Sequence, residues 1–212
     1  MTQPIVTEMS AADEEPPSSG SDIEIELIVD PIVQQTVASF LSTQLVHQAV
    51  RLAAVSRGFS AGSIGVRITD DITIRQLNAK HLGHDYATDV ISFGYTADQP
   101  TIEGELVVSV DTAAREAISA SESAGQPWTT EQELVLYVVH GVLHIAAMDD
   151  HEPADRAAMR AAEEAVFLEL GIPAITRCGA DKNPSEQNPS EQNSSKQNSG
   201  KQKPSSKAGD QS

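Results

Sequence analysis

Cysteine is almost missing from this chain. A single residue, Cys178, excludes an internal disulfide framework and any Cys-rich zinc site. Positive charge is missing too over a long stretch. No Lys or Arg occurs before Arg51, whereas Glu8, Asp13, Glu14, Glu15, Asp22, Glu24, Glu26 and Asp30 are acidic. The start of the chain therefore lacks the basic n-region of a secretory signal. With one cysteine, this leads us to expect a reducing cytoplasm. No apolar run approaches the roughly 18 residues that a membrane span needs, so no membrane association is expected. The net charge of −17 argues against a surface that coats nucleic acid broadly, because that requires clustered Lys and Arg. RNA binding in a local cleft remains open, and DNA is not expected as a partner.

Both ends lack the periodicity of folded chain. Residues 1–22 mix Pro, Ser, Gly and acids and read as a disordered acidic arm. Residues 177–212 contain the degenerate five-residue repeat NPSEQNPSEQNSSKQNSGKQKPSSK, with almost no apolar side chains. Such a segment buries too little surface to offset the entropy of ordering it. We expect a disordered low-complexity tail there and a single folded domain over 23–176.

Within that domain, Ile23 to Leu27 alternates apolar and acidic residues, as a half-exposed strand does. Asp30-Pro31 offers a helix start, and apolar residues at helical spacing from Val33 to Val55 predict one long helix closed by Arg57-Gly58. Ser63–Thr69, Val90–Tyr95 and Gly104–Val110 read as three more strands. Asp70 or Asp71 is expected to cap a short helix running through Leu77, and Asp111–Ser123 is expected to be helical. Thr130 and Glu133 fit a capping box that opens an apolar helix running to about Ala147. Glu152-Pro153 starts a last helix, which Gly171 and Pro173 end. The order predicts an α+β fold: a small mixed sheet of about four strands packed against about five helices.

The segment HGVLHIAAMDDH, 140–151, holds three of the six histidines. On a helix His140 and His144 project from the same face, one turn apart. Two imidazoles so placed share one metal ion at Zn–N distances of roughly 2.0–2.1 Å. The rest of that helix is strongly apolar, so it is buried, and buried histidines need partners. A chain reversing after Ala147 brings Asp149, Asp150 or His151 back toward the pair. Two helix ligands plus one from the following loop leave a fourth position open, as in catalytic zinc sites. The general base of an HExxH zinc protease is missing, because Gly141 occupies its place. A glycine beside a ligand points to close approach by another part of the chain or by substrate.

These residues resemble the signature of the YbeY-type family of endoribonucleases, the rRNA maturation factors. Thr88-Asp89-Val90-Ile91-Ser92-Phe93 is similar to a second segment of that family, and Leu77-Asn78 stands the usual distance ahead of it. Gly104–Ser109 resembles a third segment, and Met159, Glu163 and Glu164 fall where the last helix of the family carries Met and Glu. The resemblance covers roughly residues 23–175. It implies single-strand-preferring RNA cleavage in rRNA maturation and ribosome quality control, one zinc ion, and rRNA and the small ribosomal subunit as partners.

This chain departs from the family pattern at three positions. The family places its third histidine six residues after the second; here that position is Asp150, and His151 lies one further on. Three neutral imidazoles match the zinc that the resemblance implies, so His140, His144 and His151 are the expected ligands; a family-like backbone path would make Asp150 the third ligand instead. Ala147 replaces the glycine of the turn, which makes a positive φ less available and suggests a rearranged turn. Leu82 replaces an arginine that would suit a scissile phosphate, with Lys80, His81 and His84 as nearby cations. Lys80, His84, Asp89 and Ser92 are therefore the candidate substrate-binding residues. Arg51, Arg57, Arg67, Arg75 and Lys80 are candidates for a local basic face. Lys196, Lys201, Lys203 and Lys207 could add a weak RNA contact from the tail. Asp149 is expected to cap the turn. Two alternatives stand beside the nuclease: a non-catalytic ribosome-assembly factor with a structural metal, and a zinc hydrolase of another substrate.

Overall fold

The computed structural model describes residues 22–173. The expected arm and tail, including Lys196, Lys201, Lys203 and Lys207, lie outside the described residues, apart from Asp22, which begins the first strand. Four strands form one mixed sheet: β1 (Asp22–Val29), β2 (Ala61–Thr69), β3 (Val90–Asp98) and β4 (Thr101–Ser109). The spatial order is β1-β2-β4-β3, with β1 and β4 parallel to β2 and β3 antiparallel to β4. Six helices are present among the described residues: α1 (Gln34–Ala38), α2 (Thr43–Ser56), α3 (Asp71–Leu82), α4 (Val110–Ala124), α5 (Thr130–Ile145) and α6 (Pro153–Glu169). The α+β class holds, with one helix more than the sequence suggests.

The extra helix comes from dividing the segment 33–55. Ser42 is extended, and its hydroxyl accepts from the Leu45 amide, so a new helix is capped where periodicity predicts continuity. Helix α3 runs five residues past Leu77 to Leu82, and Gly83 at φ 76° ends it. Its cap is Asp70, which accepts from the Thr73 amide. The capping box of α5 also sits one residue early. Thr129 accepts from the Gln132 amide, and the Gln132 side chain accepts from the Thr129 amide. Glu133, the expected partner, is fully buried and accepts from the Trp128 indole at 2.7 Å. Burial of that carboxylate against the indole removes it from the cap.

Strand alternation assigns the two faces of the sheet. Leu106 and Val108 of β4 enter the main core with α1, α2, α4, α5 and α6. Val107, between them, joins Ile91 and Ile74 in a small core on the opposite face, under α3. Helix α5 lies at the centre, packed on β3, β4, α2, α4 and α6. Ten of its 16 residues are buried, so a polar side chain on it must find a partner within the protein.

Candidate metal centre

Helical spacing places the His140 and His144 rings one turn apart near the C-terminal end of α5, and their Nε2 atoms face each other at 2.9 Å. Both outer nitrogens are occupied. His144 Nδ1 donates to the Met148 carbonyl at 2.9 Å, and His140 Nδ1 lies 2.7 Å from Glu163 Oε1 on α6. Donation from each Nδ1 leaves each Nε2 with a bare lone pair. Two lone pairs so opposed repel unless a cation or proton lies between them. Carboxylate–histidine and carbonyl–histidine bonds of this kind fix the tautomer that presents Nε2 to a metal.

A third donor closes the set. Asp150 Oδ2 lies 3.8 Å from both His140 Nε2 and His144 Nε2. His140, His144 and Asp150 could together hold a metal ion, and an ion about 2.0–2.1 Å from each nitrogen suits a pair this close. The surroundings split the two histidines electrostatically. Burial pulls the His140 pKa down, but the Glu163 carboxylate, with Asp89 and Asp150 nearby, outweighs it and holds the value above the usual histidine range. Burial and the charge on His140 push His144 below that range.

The loop after α5 decides which residue faces the pair. The turn takes a positive φ despite the alanine. Ala147 adopts φ 62°, the left-handed conformation that glycine takes more readily. The Met148 amide donates to the Leu143 carbonyl and the Ala147 amide to the His144 carbonyl, a Schellman ending that requires such a residue. These bonds hold the alanine in the strained region. Asp150 then points at the histidines, whereas His151 does not reach them. The His151 side chain is 83% exposed, and its Nδ1 pairs with Asp149 Oδ1. That pairing lowers the Asp149 pKa and raises that of His151. Asp149 also caps the turn, accepting from the amides of Asp150 and His151.

Strand β3 forms the adjoining wall. A Cβ built on Gly141 would lie 2.6 Å from Leu106 Cδ2, 3.1 Å from Ser92 Oγ and 3.1 Å from Val90 Cγ2. Gly141 thus lets α5 settle on β3 and β4; the close approach is by sheet side chains. Ser92 faces α5 beside this glycine. The Asp89 carboxylate accepts from the Thr88 hydroxyl and the Val90 amide, and its charge reaches His140. Lys80 and His84 belong to α3 and the loop after it, on the other face of the sheet, where His84 stacks on Tyr86. Two members of the candidate basic face are paired with acids, Arg67 with Asp30 and Arg75 with Asp85, while Arg51 donates to the neutral Ile23 carbonyl. Leu82 is half exposed at the end of α3.

Two residues at the site have roles that the sequence leaves unassigned, Glu163 and Arg156. Both fall at helical spacing with the buried Met159 and Val166 of α6. A charged residue within an apolar stripe is the signal that marks them, since its head group must find a partner indoors.

Among the described residues no helix is long and apolar enough to cross a membrane. The family model described as Endoribonuclease YbeY matches residues 29–171. An Endoribonuclease YbeY of Rhodopirellula baltica is 50% identical over 130 residues, 61% of this chain and 64% of that protein. One from Chlorobium phaeovibrioides is 33% identical over 139 residues, 66% of this chain and 89% of that protein. The solution structure of a Thermotoga maritima protein aligns at a TM-score of 0.45 and 20% identity, over 69% of this chain and 91% of that one. With the family model spanning most of the chain, from the end of β1 to the end of α6, this chain belongs to the YbeY endoribonuclease family.

Proposed function

We propose that this chain is a zinc-dependent endoribonuclease that prefers single-stranded RNA. It works in the cytoplasm in rRNA maturation and ribosome quality control, with rRNA and the small ribosomal subunit as partners. One observation carries the chemistry: two imidazole nitrogens face each other at 2.9 Å, each with its far nitrogen occupied, beside the Asp150 carboxylate. Family membership supplies the substrate class.

In this reading His140, His144 and Asp150 hold one Zn2+, and His151 stays outside. A bound zinc supplies Lewis acidity, which polarises a phosphoryl oxygen and acidifies water. The protein does the rest by placement. Glu163 and the Met148 carbonyl each hold an Nδ1, which orients the two rings with Nε2 toward the metal position. Asp89, whose Oδ1 accepts two hydrogen bonds, acts on His140 through its charge. Ser92 lines the wall where a phosphate would lie. Lys80 and His84, both exposed, contact the RNA away from the cleaved bond. An assembly-factor reading rests on Leu82, which leaves an apolar side chain where a phosphate-binding arginine would stand.

The test is cleavage of single-stranded rRNA fragments by wild type and by His144→Ala. Cleavage by wild type alone is expected. Cleavage by neither removes the nuclease reading, and equal cleavage by both places the activity elsewhere. Metal analysis of Asp150→Ala and His151→Ala checks the third ligand: zinc is expected to be lost from the first and kept by the second.

A further inference from the structure

The carboxylate of Asp150 sits on a loop, and loops need something to hold them if they are to present a ligand. Two bonds fix the backbone of this residue. Its amide donates to Asp149 Oδ1 at 2.7 Å, and its carbonyl accepts from Arg156 Nη1 at 3.3 Å. The neighbouring His151 is held in the same way, with its amide on Asp149 Oδ1 and its carbonyl on the same Arg156 nitrogen. The Asp149 carboxylate therefore closes the loop from the amide side, and the Arg156 guanidinium closes it from the carbonyl side.

The position of Arg156 suits this task. It lies in the first turn of α6, where its own amide donates to the Glu152 carbonyl. Glu152, the N-cap of that helix, makes no side-chain capping bond. The usual device that fastens a loop to a helix start is missing here, and the Arg156 side chain reaches back to fasten it. The same helix carries Glu163, which orients His140. One rigid element thus acts on two of the three donors, on His140 directly and on Asp150 through the loop.

We propose that Arg156 is the positioning residue of the third metal donor. Its guanidinium grips the carbonyls of Asp150 and His151 and fixes the loop so that Asp150 faces His140 and His144 while His151 faces solvent. The inference rests on Asp150 being the third donor. Loss of a residue that orients a ligand lowers metal affinity about tenfold to a hundredfold, and Arg156→Ala should fall in that range.

The test is a double-mutant cycle on the metal-free full chain, read as Zn2+ affinity in competition with a chromogenic chelator. Wild type, Arg156→Ala, Asp150→Ala and the double variant are compared, with circular dichroism to check the fold. The proposal expects weaker binding in Arg156→Ala and no further loss when Arg156→Ala is added to Asp150→Ala. Arg156→Lys, which keeps a donor but loses the planar fork, should fall between wild type and Arg156→Ala. Co2+ absorption of Arg156→Ala should show an altered coordination spectrum that a general loosening of the fold would not produce. Unchanged affinity in Arg156→Ala, with Asp150→Ala weakened, overturns the clamp alone. Equal losses that add in the double variant also overturn it, since Arg156 then acts independently of Asp150. Unchanged affinity in Asp150→Ala overturns the donor assignment, and the clamp with it. If Arg156→Ala does not fold, the same cycle with Arg156→Lys decides on the same criteria.

Discussion

Replacing Ala147 with glycine should make this protein more stable. Ala147 holds φ 62° in the turn after α5 and is exposed, so its methyl group contributes little burial. The left-handed conformation costs an L-residue about 1–2 kcal/mol. Glycine removes that cost but has more freedom to lose on folding, worth about 0.5–1 kcal/mol. The expected net gain is about 0.5–1 kcal/mol. For a domain of this size a gain of 1 kcal/mol raises the melting midpoint by about 2–4 °C. Urea unfolding of the metal-free protein reads the same quantity, with an unchanged slope as evidence that only stability moved. Zinc affinity should stay within about twofold, because glycine keeps the turn and the Met148 carbonyl keeps its bond from His144. A lower midpoint for Ala147→Gly would refute the argument. It would mean that the turn is not held in the left-handed region, and the path that aims Asp150 at the histidines would fall with it.

Three further perturbations probe the frame around the site. Glu163→Gln keeps an acceptor for His140 Nδ1 but removes the charge, so the His140 pKa should drop and Zn2+ affinity should fall about tenfold to a hundredfold; NMR titration of the imidazole and chelator competition check the two effects. In Gly104→Ala the new Cβ would meet the Phe93 carbonyl oxygen and Ile145 Cδ1, each at 2.7 Å, so overpacking should cost about 1–3 kcal/mol. A thermal midpoint equal to that of wild type would count against that packing. The Arg67 guanidinium, opposed by partial burial and helped by the Thr69 hydroxyl, holds the Asp30 carboxyl below its ordinary value. A depressed carboxylate contributes stability above its unfolded pKa of about 3.9 and loses it as pH falls through the lower folded value. Asp30→Asn should therefore be less stable than wild type near neutral pH, with the gap closing below about pH 4; a gap independent of pH would exclude the ion pair as its cause.

Much of this protein follows from local pattern. Period-two alternation marks β1, and the near-continuous apolar surface of 134–145 marks a buried helix. A 3.6-residue repeat puts His140 and His144 on one face whatever surrounds them. Gly141 beside His140 signals close packing, which β3 and β4 supply. Periodicity does not carry the choice among equivalent local options. Two threonines can open α5, and the burial of Glu133 against Trp128 selects Thr129. Ser42 interrupts a pattern that reads as continuous. The ligand question is of the same kind. Asp150 and His151 are adjacent and both suit a metal, and residue type alone does not rank them. A one-residue difference in the path of a loop exchanges them, and that path is decided by two contacts of different reach. The Schellman bonds force Ala147 into a positive φ, and Arg156, fixed on α6, grips the carbonyls that follow. The sequence determined that a histidine pair would sit on a buried helix, because helical geometry is local. Only the tertiary structure decided which neighbour faces that pair, because the aim of a loop depends on the elements to which it is tied.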